Sequence, residues 1–177
     1  SIFDRAVKTR STAEEQRIAR SSVSTGTIKI PVILVEFLDT KFVISNPVSA
    51  FSSLLNKEGY SENGATGSVR DFYSDNSNGA FIPQFDVYGP VQVADSSKNY
   101  AGSTGTDKAY LAFREACKLM DSTIDYSNYD SDGDGYVDMI LFYYAGYNQA
   151  EGNGTYNKDC IWPHESHLYA GPYDGKY

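Results

Sequence analysis

Apolar residues along this chain change their spacing several times, and each spacing predicts an element. Ile28-Lys29-Ile30-Pro31-Val32-Ile33-Leu34-Val35-Glu36-Phe37 is β-branched and nearly continuous, the pattern of a strand covered on both faces. Pro31 fits near its start, where a missing ladder donor costs least, and Glu36 at its far end reads as a satisfied surface carboxylate. Asn46-Pro47 opens a helix, an N-cap residue followed by proline at the first helical position. Val48, Phe51, Leu54 and Leu55 form its apolar stripe. A Gly/Asn/Ser loop runs from Asn56 to Gly67. Ser68-Val69-Arg70-Asp71 resembles a capping box, with aspartate as the reaching residue. It starts a second helix whose buried face is expected to be Val69, Phe72 and Tyr73, and Asn76-Ser77-Asn78-Gly79 stops it.

Two strand segments follow, Phe81-Ile82 and Gln84 to Val93, broken by Pro83 and Gly89-Pro90. The longest helix is predicted from Asp107 to about Ser122, with Tyr110, Phe113, Ala116/Cys117 and Met120 on one face of a 3.6-residue period. Tyr136 to Ala145, with the apolar stretch Val137 to Tyr144, predicts a second strand buried on both sides. A loop runs from Gly146 to Lys158, then Ile161-Trp162-Pro163-His164 with Trp162 expected to be buried, then a Gly/Tyr-rich tail. Helices alternating with strands predict an α/β sandwich with a mainly parallel or mixed sheet. Residues 1–26 differ from the rest: they are polar, basic and Ser/Thr-rich, and read as a linker or pro-segment remnant ahead of a domain at 27–177. Ile2 and Phe3 make no apolar signal core.

Composition narrows the function classes. A chain of 177 residues suits one domain, and 41% hydrophobic with 21% charged residues is a globular rather than a disordered composition. A net charge of −8 and a pI near 4.7 argue against a nucleic-acid or anionic-membrane binder, which needs a basic patch. The apolar run Ile30 to Val35 is far too short to span a membrane. Cys117 and Cys160 cannot make a disulfide-dense scaffold. Cys117 falls on an apolar helix face, and whether the two pair is open. The charge is also uneven. Six aspartates and no base lie between Asp121 and Asp138, and such a concentration calls for a chemical explanation.

Asp130-Ser131-Asp132-Gly133-Asp134-Gly135-Tyr136-Val137-Asp138 supplies one. Carboxylates stand at loop positions 1, 3, 5 and 9, glycine at position 6, and Tyr136 offers its carbonyl at position 7. This is the first part of a calcium loop, since calcium takes six to eight oxygens on a tightly curled backbone. Position 12 is Leu141 rather than a bidentate glutamate, and a strand follows rather than a helix, so the loop is not a sensor EF-hand. Four carboxylates within nine residues would repel strongly without a cation. The metal ligands expected here are Asp130, Asp132, Asp134, Tyr136 and Asp138, with structural calcium as the ion. Filling in millimolar extracellular calcium favours a secreted protein. His164-Glu165-Ser166-His167 is not a zinc-helix motif: its histidines stand at i and i+3 rather than i and i+4, Pro163 precedes them and Gly171-Pro172 closes the segment. Asn153-Gly154-Thr155 is a glycosylation sequon, meaningful only in a eukaryotic secretory pathway.

Five segments taken in order resemble one family. They are 29–37, then 68–73 running to Ser77-Asn78-Gly79, then Phe85-Asp86-Val87-Tyr88-Gly89-Pro90-Val91, then Tyr129 to Asp138 with the strand to Ala145-Gly146, and finally Ile161-Trp162-Pro163-His164. Together they are similar to the N-terminal half of the catalytic domain in immune-inhibitor-A-like metallopeptidases, over about residues 28–165. The resemblance implies a secreted bacterial zinc endopeptidase with a zincin-like mixed sheet and backing helices. It implies zinc ligands on a His-Glu-x-x-His helix downstream of the Trp-Pro-His segment, a motif this chain does not contain, so no catalytic residue is carried over. The calcium-type loop is carried over to Asp130, Asp132, Asp134, Tyr136 and Asp138. His164 to His167 departs from the Trp-Pro-His-Ser-Trp form of the family. The expectation is therefore the N-terminal portion of a secreted endopeptidase, truncated before its zinc helix and inactive alone. Protein or peptide would be the substrate of the full-length enzyme, and an uncovered apolar face would favour self-association. The alternative is a non-enzymatic, calcium-stabilised binding or structural module.

Overall fold

The computed structural model describes residues 25–102, 108–151 and 159–177. The linker expected at 1–26, apart from Thr25 and Gly26, lies outside these residues, as do the sequon and the first residue expected in the longest helix. Three strands form one parallel sheet in the order β2-β1-β3: β1 (Gly26–Glu36), β2 (Phe81–Gln92) and β3 (Leu141–Tyr144). Four α-helices accompany them, α1 (Pro47–Asn56), α2 (Val69–Asn76), α3 (Ser97–Tyr100) and α4 (Ala109–Met120), with 3₁₀ turns at Glu62–Gly64 and Tyr126–Tyr129. The architecture is α/β, and the sheet is parallel throughout the described residues rather than mixed.

The unbroken apolar run of β1 is explained by its central place. Ile28, Ile30, Val32 and Leu34 pack with Leu55 and Phe85 on the α1 side, while Ile33, Val35 and Phe37 pack with Ala109, Ala112, Ala116, Cys117 and Met120 on the α4 side. Alternate residues thus enter two separate cores, so neither set can be polar. Pro31 precedes the first residue of β1 that pairs with β3, Val32. Glu36 accepts from the Phe42 backbone N–H at 3.1 Å and pairs with Lys41 at 3.3 Å.

β2 is one strand, not two. It lies at the sheet edge, and Pro83 shares parity with Phe85, whose N–H and C=O face away from β1. The Asn56 side chain meets both Phe85 groups, at 2.9 Å each, and this covers an edge that would otherwise be open to pairing. Pro83 therefore lacks a donor only on the side where no strand needs one. Gly89-Pro90 is absorbed by a bulge. Ile33 pairs with Tyr88 but Val35 pairs with Val91, so β2 takes one residue more than β1 there. The extra residue reverses which parity faces which core: Phe85 and Val87 face α1, whereas Val91 and Val93 face α4. Gly89 is required at the bulge, since its φ is +102° and a Cβ would lie 2.8 Å from the Leu34 carbonyl. Replacing Asn56 with alanine should leave the Phe85 pair without partners and cost about 1–3 kcal/mol. A urea midpoint unchanged from wild type would contradict the edge clamp.

The helix caps follow the expected residues. The Asn46 side chain accepts from Ser49 N–H, and Ser68 with Asp71 forms a reciprocal capping box. The faces differ in two places. Phe72 and Tyr73 of α2 are 62% and 45% exposed, because they pack edge-to-face on each other and Tyr73 on Phe81, outside the core. Tyr110 is also exposed. The inner face of α4 is Ala109, Ala112, Ala116, Cys117 and Met120, with Phe113 stacked on Phe142 at its margin, and its small alanines allow close approach to β1. β3 is shorter than expected and only half-buried along its length, since its pairing is limited to four residues of β1. Trp162 is half-exposed, and Ile161 is the buried member of that segment. Cys117 is buried and both cysteines are free thiols; burial pushes the Cys117 thiol up to about 12.

Candidate metal centre

The aspartate loop hangs from the α4-side core by two tyrosines. Tyr126 and Tyr129 are buried. The Tyr126 hydroxyl donates to the Cys117 carbonyl at 3.0 Å, and the Tyr129 hydroxyl meets Asp86 at 3.0 Å and Tyr88 at 2.7 Å. This holds Asp130 at a fixed exit from the core. Asp130 then organises the loop: its Oδ1 accepts from Gly133 N–H at 2.8 Å and Asp134 N–H at 3.1 Å, and its Oδ2 from Gly135 N–H at 3.0 Å. Gly133 and Gly135 take φ of +75° and +94°, which closes the turn around that carboxylate.

Among the described residues, Asp130, Asp132 and Asp138 bring one carboxylate oxygen each to within 4.8 Å of one another. Asp134 is not in that group; its Oδ1 accepts from Tyr136 N–H at 2.9 Å. Asp138 is returned to the loop by the start of the approach to β3, where its own N–H donates to the Tyr129 carbonyl at 2.9 Å. Its Oδ2 accepts from Ser131 N–H at 3.0 Å and from the Ser131 hydroxyl. Its Oδ1 is buried and meets no donor. Burial pushes the Asp138 carboxyl above the ordinary range; the Ser131 bonds oppose this, and the charges of Asp132 and Asp130 add to it. Burial also raises Asp130, but bonds from Lys176, Gly135 and Gly133 outweigh it and hold that carboxyl below the ordinary range.

Lys176 is the residue that sequence reasoning missed. Its Nζ lies 2.6 Å from Asp130 Oδ2, whose side chain is fully covered. It arrives on a tight turn. Tyr173 and Lys176 exchange both backbone bonds across Asp174-Gly175, both at positive φ, the geometry that Asp-Gly favours. Further bonds seat the turn: Tyr177 N–H donates to the Gly135 carbonyl at 3.1 Å, Val137 N–H to the Tyr177 carbonyl at 2.9 Å, and Tyr126 N–H to Asp174 at 2.9 Å. The Asp-Gly pair signalled a turn; nothing in the sequence signalled where it would dock.

Among the described residues, His164 and His167 gather no further ligand into a zinc site. His164 and His167 are exposed and border a hollow of about 420 Å³ with Tyr110 and Arg114, lined by no carboxylate or thiol. His164 Nδ1 is engaged 2.7 Å from the Trp162 carbonyl. A second cleft, of about 360 Å³, opens at the carboxyl ends of β1 and β3 between Phe37, Thr40, Tyr144 and Gly146. This is the place where a doubly wound sheet changes direction and leaves a crevice. No helix among the described residues is long and apolar enough to cross a membrane. No protein-family model matches the chain, and comparison with curated proteins finds no match.

Proposed function

We propose that this chain is the N-terminal, sheet-bearing portion of a secreted zinc-dependent endopeptidase acting on proteins or peptides, with a structural calcium site in the loop that leads to β3. The observations that carry this reading are the convergence of the Asp130, Asp132 and Asp138 carboxylates and the buried Asp138 Oδ1 that meets no donor, in the loop directly ahead of the strand where the family resemblance requires it. Calcium suits the site because all the converging groups are hard oxygens. Three carboxylates would leave the remaining positions to backbone carbonyls and water. The ion's role is to fix the loop between the Tyr126–Tyr129 turn and β3. The parallel sheet with helices packed against both sides of β1 is compatible with an α/β scaffold, and the zincin-like arrangement comes from the resemblance.

Zinc ligands belong to residues beyond this chain in this reading, and the chain alone hydrolyses nothing. The purified 177-residue chain should leave casein intact. Extending the coding sequence past Tyr177 should meet a His-Glu-x-x-His helix, and the longer product should cleave casein and lose that activity to a zinc chelator. Hydrolysis by the 177-residue chain itself would overturn its expected inactivity, whereas a downstream sequence without the motif would overturn the peptidase reading and leave a calcium-stabilised module.

A further inference from the structure

Lys176 gives the aspartate loop a cation of its own. We propose that its ammonium group competes with calcium for Asp130, so that calcium occupancy and the Lys176–Asp130 contact exclude each other. The inference rests on the calcium reading of the loop and adds a control to it.

Three observations carry it. First, Asp130 is both the residue on which the loop is wound and a member of the converging carboxylate group. Its Oδ2 is 2.6 Å from Lys176 Nζ. An ion held at an ordinary calcium–oxygen distance of about 2.4 Å from Asp130 Oδ2 would crowd that ammonium on a single oxygen of a fully covered side chain, and the two cations would repel. Second, the ammonium satisfies only one of the three converging carboxylates. Asp138 Oδ1 stays buried and without a donor, so the loop retains an unmet demand for positive charge that Lys176 does not reach. Third, the lysine is tethered by backbone bonds that do not depend on its charge: Tyr173 with Lys176, Tyr177 with Gly135 and Val137 with Tyr177. The side chain can leave Asp130 while the turn stays seated, and it is already partly open to solvent. Lys176 therefore acts as a local substitute that keeps the empty loop folded at low calcium and gives way as calcium rises. It sets the calcium concentration at which the site fills.

Calorimetric titration of calcium into the chelator-stripped 177-residue chain tests this. Lys176→Gln should bind calcium about tenfold more tightly than wild type, while Lys176→Arg, which keeps the charge, should stay close to wild type. Equal or weaker binding by Lys176→Gln, with wild type binding normally, would overturn the competition and leave the calcium site standing. No binding by wild type or by either variant would instead remove the calcium reading and the competition with it. A second measurement does not depend on the variants folding. The Lys176 amine of wild type should be acetylated several-fold faster in calcium than in chelator. Equal rates in a chain that demonstrably binds calcium would overturn the displacement of Lys176.

Discussion

Stripping calcium from the chain should lower its melting temperature by about 5–10 °C, and adding it back should restore the loss. At a free concentration of about one hundred times Kd, a ligand bound only by the folded state stabilises it by ~2.7 kcal/mol. In a domain of this size each kcal/mol moves the midpoint by about 2–4 °C. The origin is electrostatic. Without an ion, the Asp130, Asp132 and Asp138 carboxylates converge, and Asp138 Oδ1 is buried with no donor. The pH dependence has a definite sign. Asp138 is raised in the folded chain, so its contribution to metal-free stability is fully present below the ordinary carboxylate value and is lost as pH rises through its folded value. Calcium should remove that loss, because the ion compensates the charge that forms. Asp130, held low, contributes in the opposite sense, with stability present above the ordinary value and lost as pH falls through its folded value. Thermal scans in calcium and in chelator across the acid range check both signs. Superimposable curves would contradict the site.

Phe37→Ala should be more damaging than Asn56→Ala, at about 3–5 kcal/mol and roughly 10 °C in melting temperature. Phe37 is fully buried at the carboxyl end of β1. Its ring meets Tyr100 at 5.9 Å and Tyr144 at 6.2 Å between centroids, so it joins β1, α3 and β3 at the floor of the cleft above the sheet. Removing it leaves a cavity that the parallel ladder cannot close by sliding, because Val35 is held to Tyr144 on one side and Val91 on the other. A urea midpoint that implies a loss below about 1 kcal/mol would show that this end of β1 is not part of the core.

Elements governed by local chemistry were legible in the sequence. Asn46-Pro47 and Ser68 with Asp71 start helices through bonds within three residues, and such bonds depend on no distant partner. β1 was legible because a central strand must be apolar on both faces. The turn around Asp130 was legible because its Asp and Gly residues wind it through bonds within five positions. Features set by distant packing were not. The parity reversal in β2 depends on a bulge matched to β1, and residue types alone do not mark which side of Gly89 faces which core. Phe72 and Tyr73 have the apolar character of a buried face, yet their packing partners are each other and Phe81. Tyr110 and Trp162 are large enough to suggest burial, but Ala109 and Ile161 occupy the inner positions beside them. Lys176 is separated from Asp130 by 46 positions, and a lone lysine in a Gly/Tyr-rich tail carries no sign of its partner. The zincin-like arrangement and the peptidase activity rest on the family resemblance.

Calcium content separates a metal site from a plain Asp/Gly turn in this acidic stretch. The most direct test is the calcium content of the chelator-stripped chain after equilibration with calcium and desalting, compared with that of Asp138→Asn. One calcium is expected per wild-type chain and none in the variant, because Asp138 supplies the buried oxygen that no donor satisfies. No calcium in wild type, or equal calcium in both proteins, would contradict it.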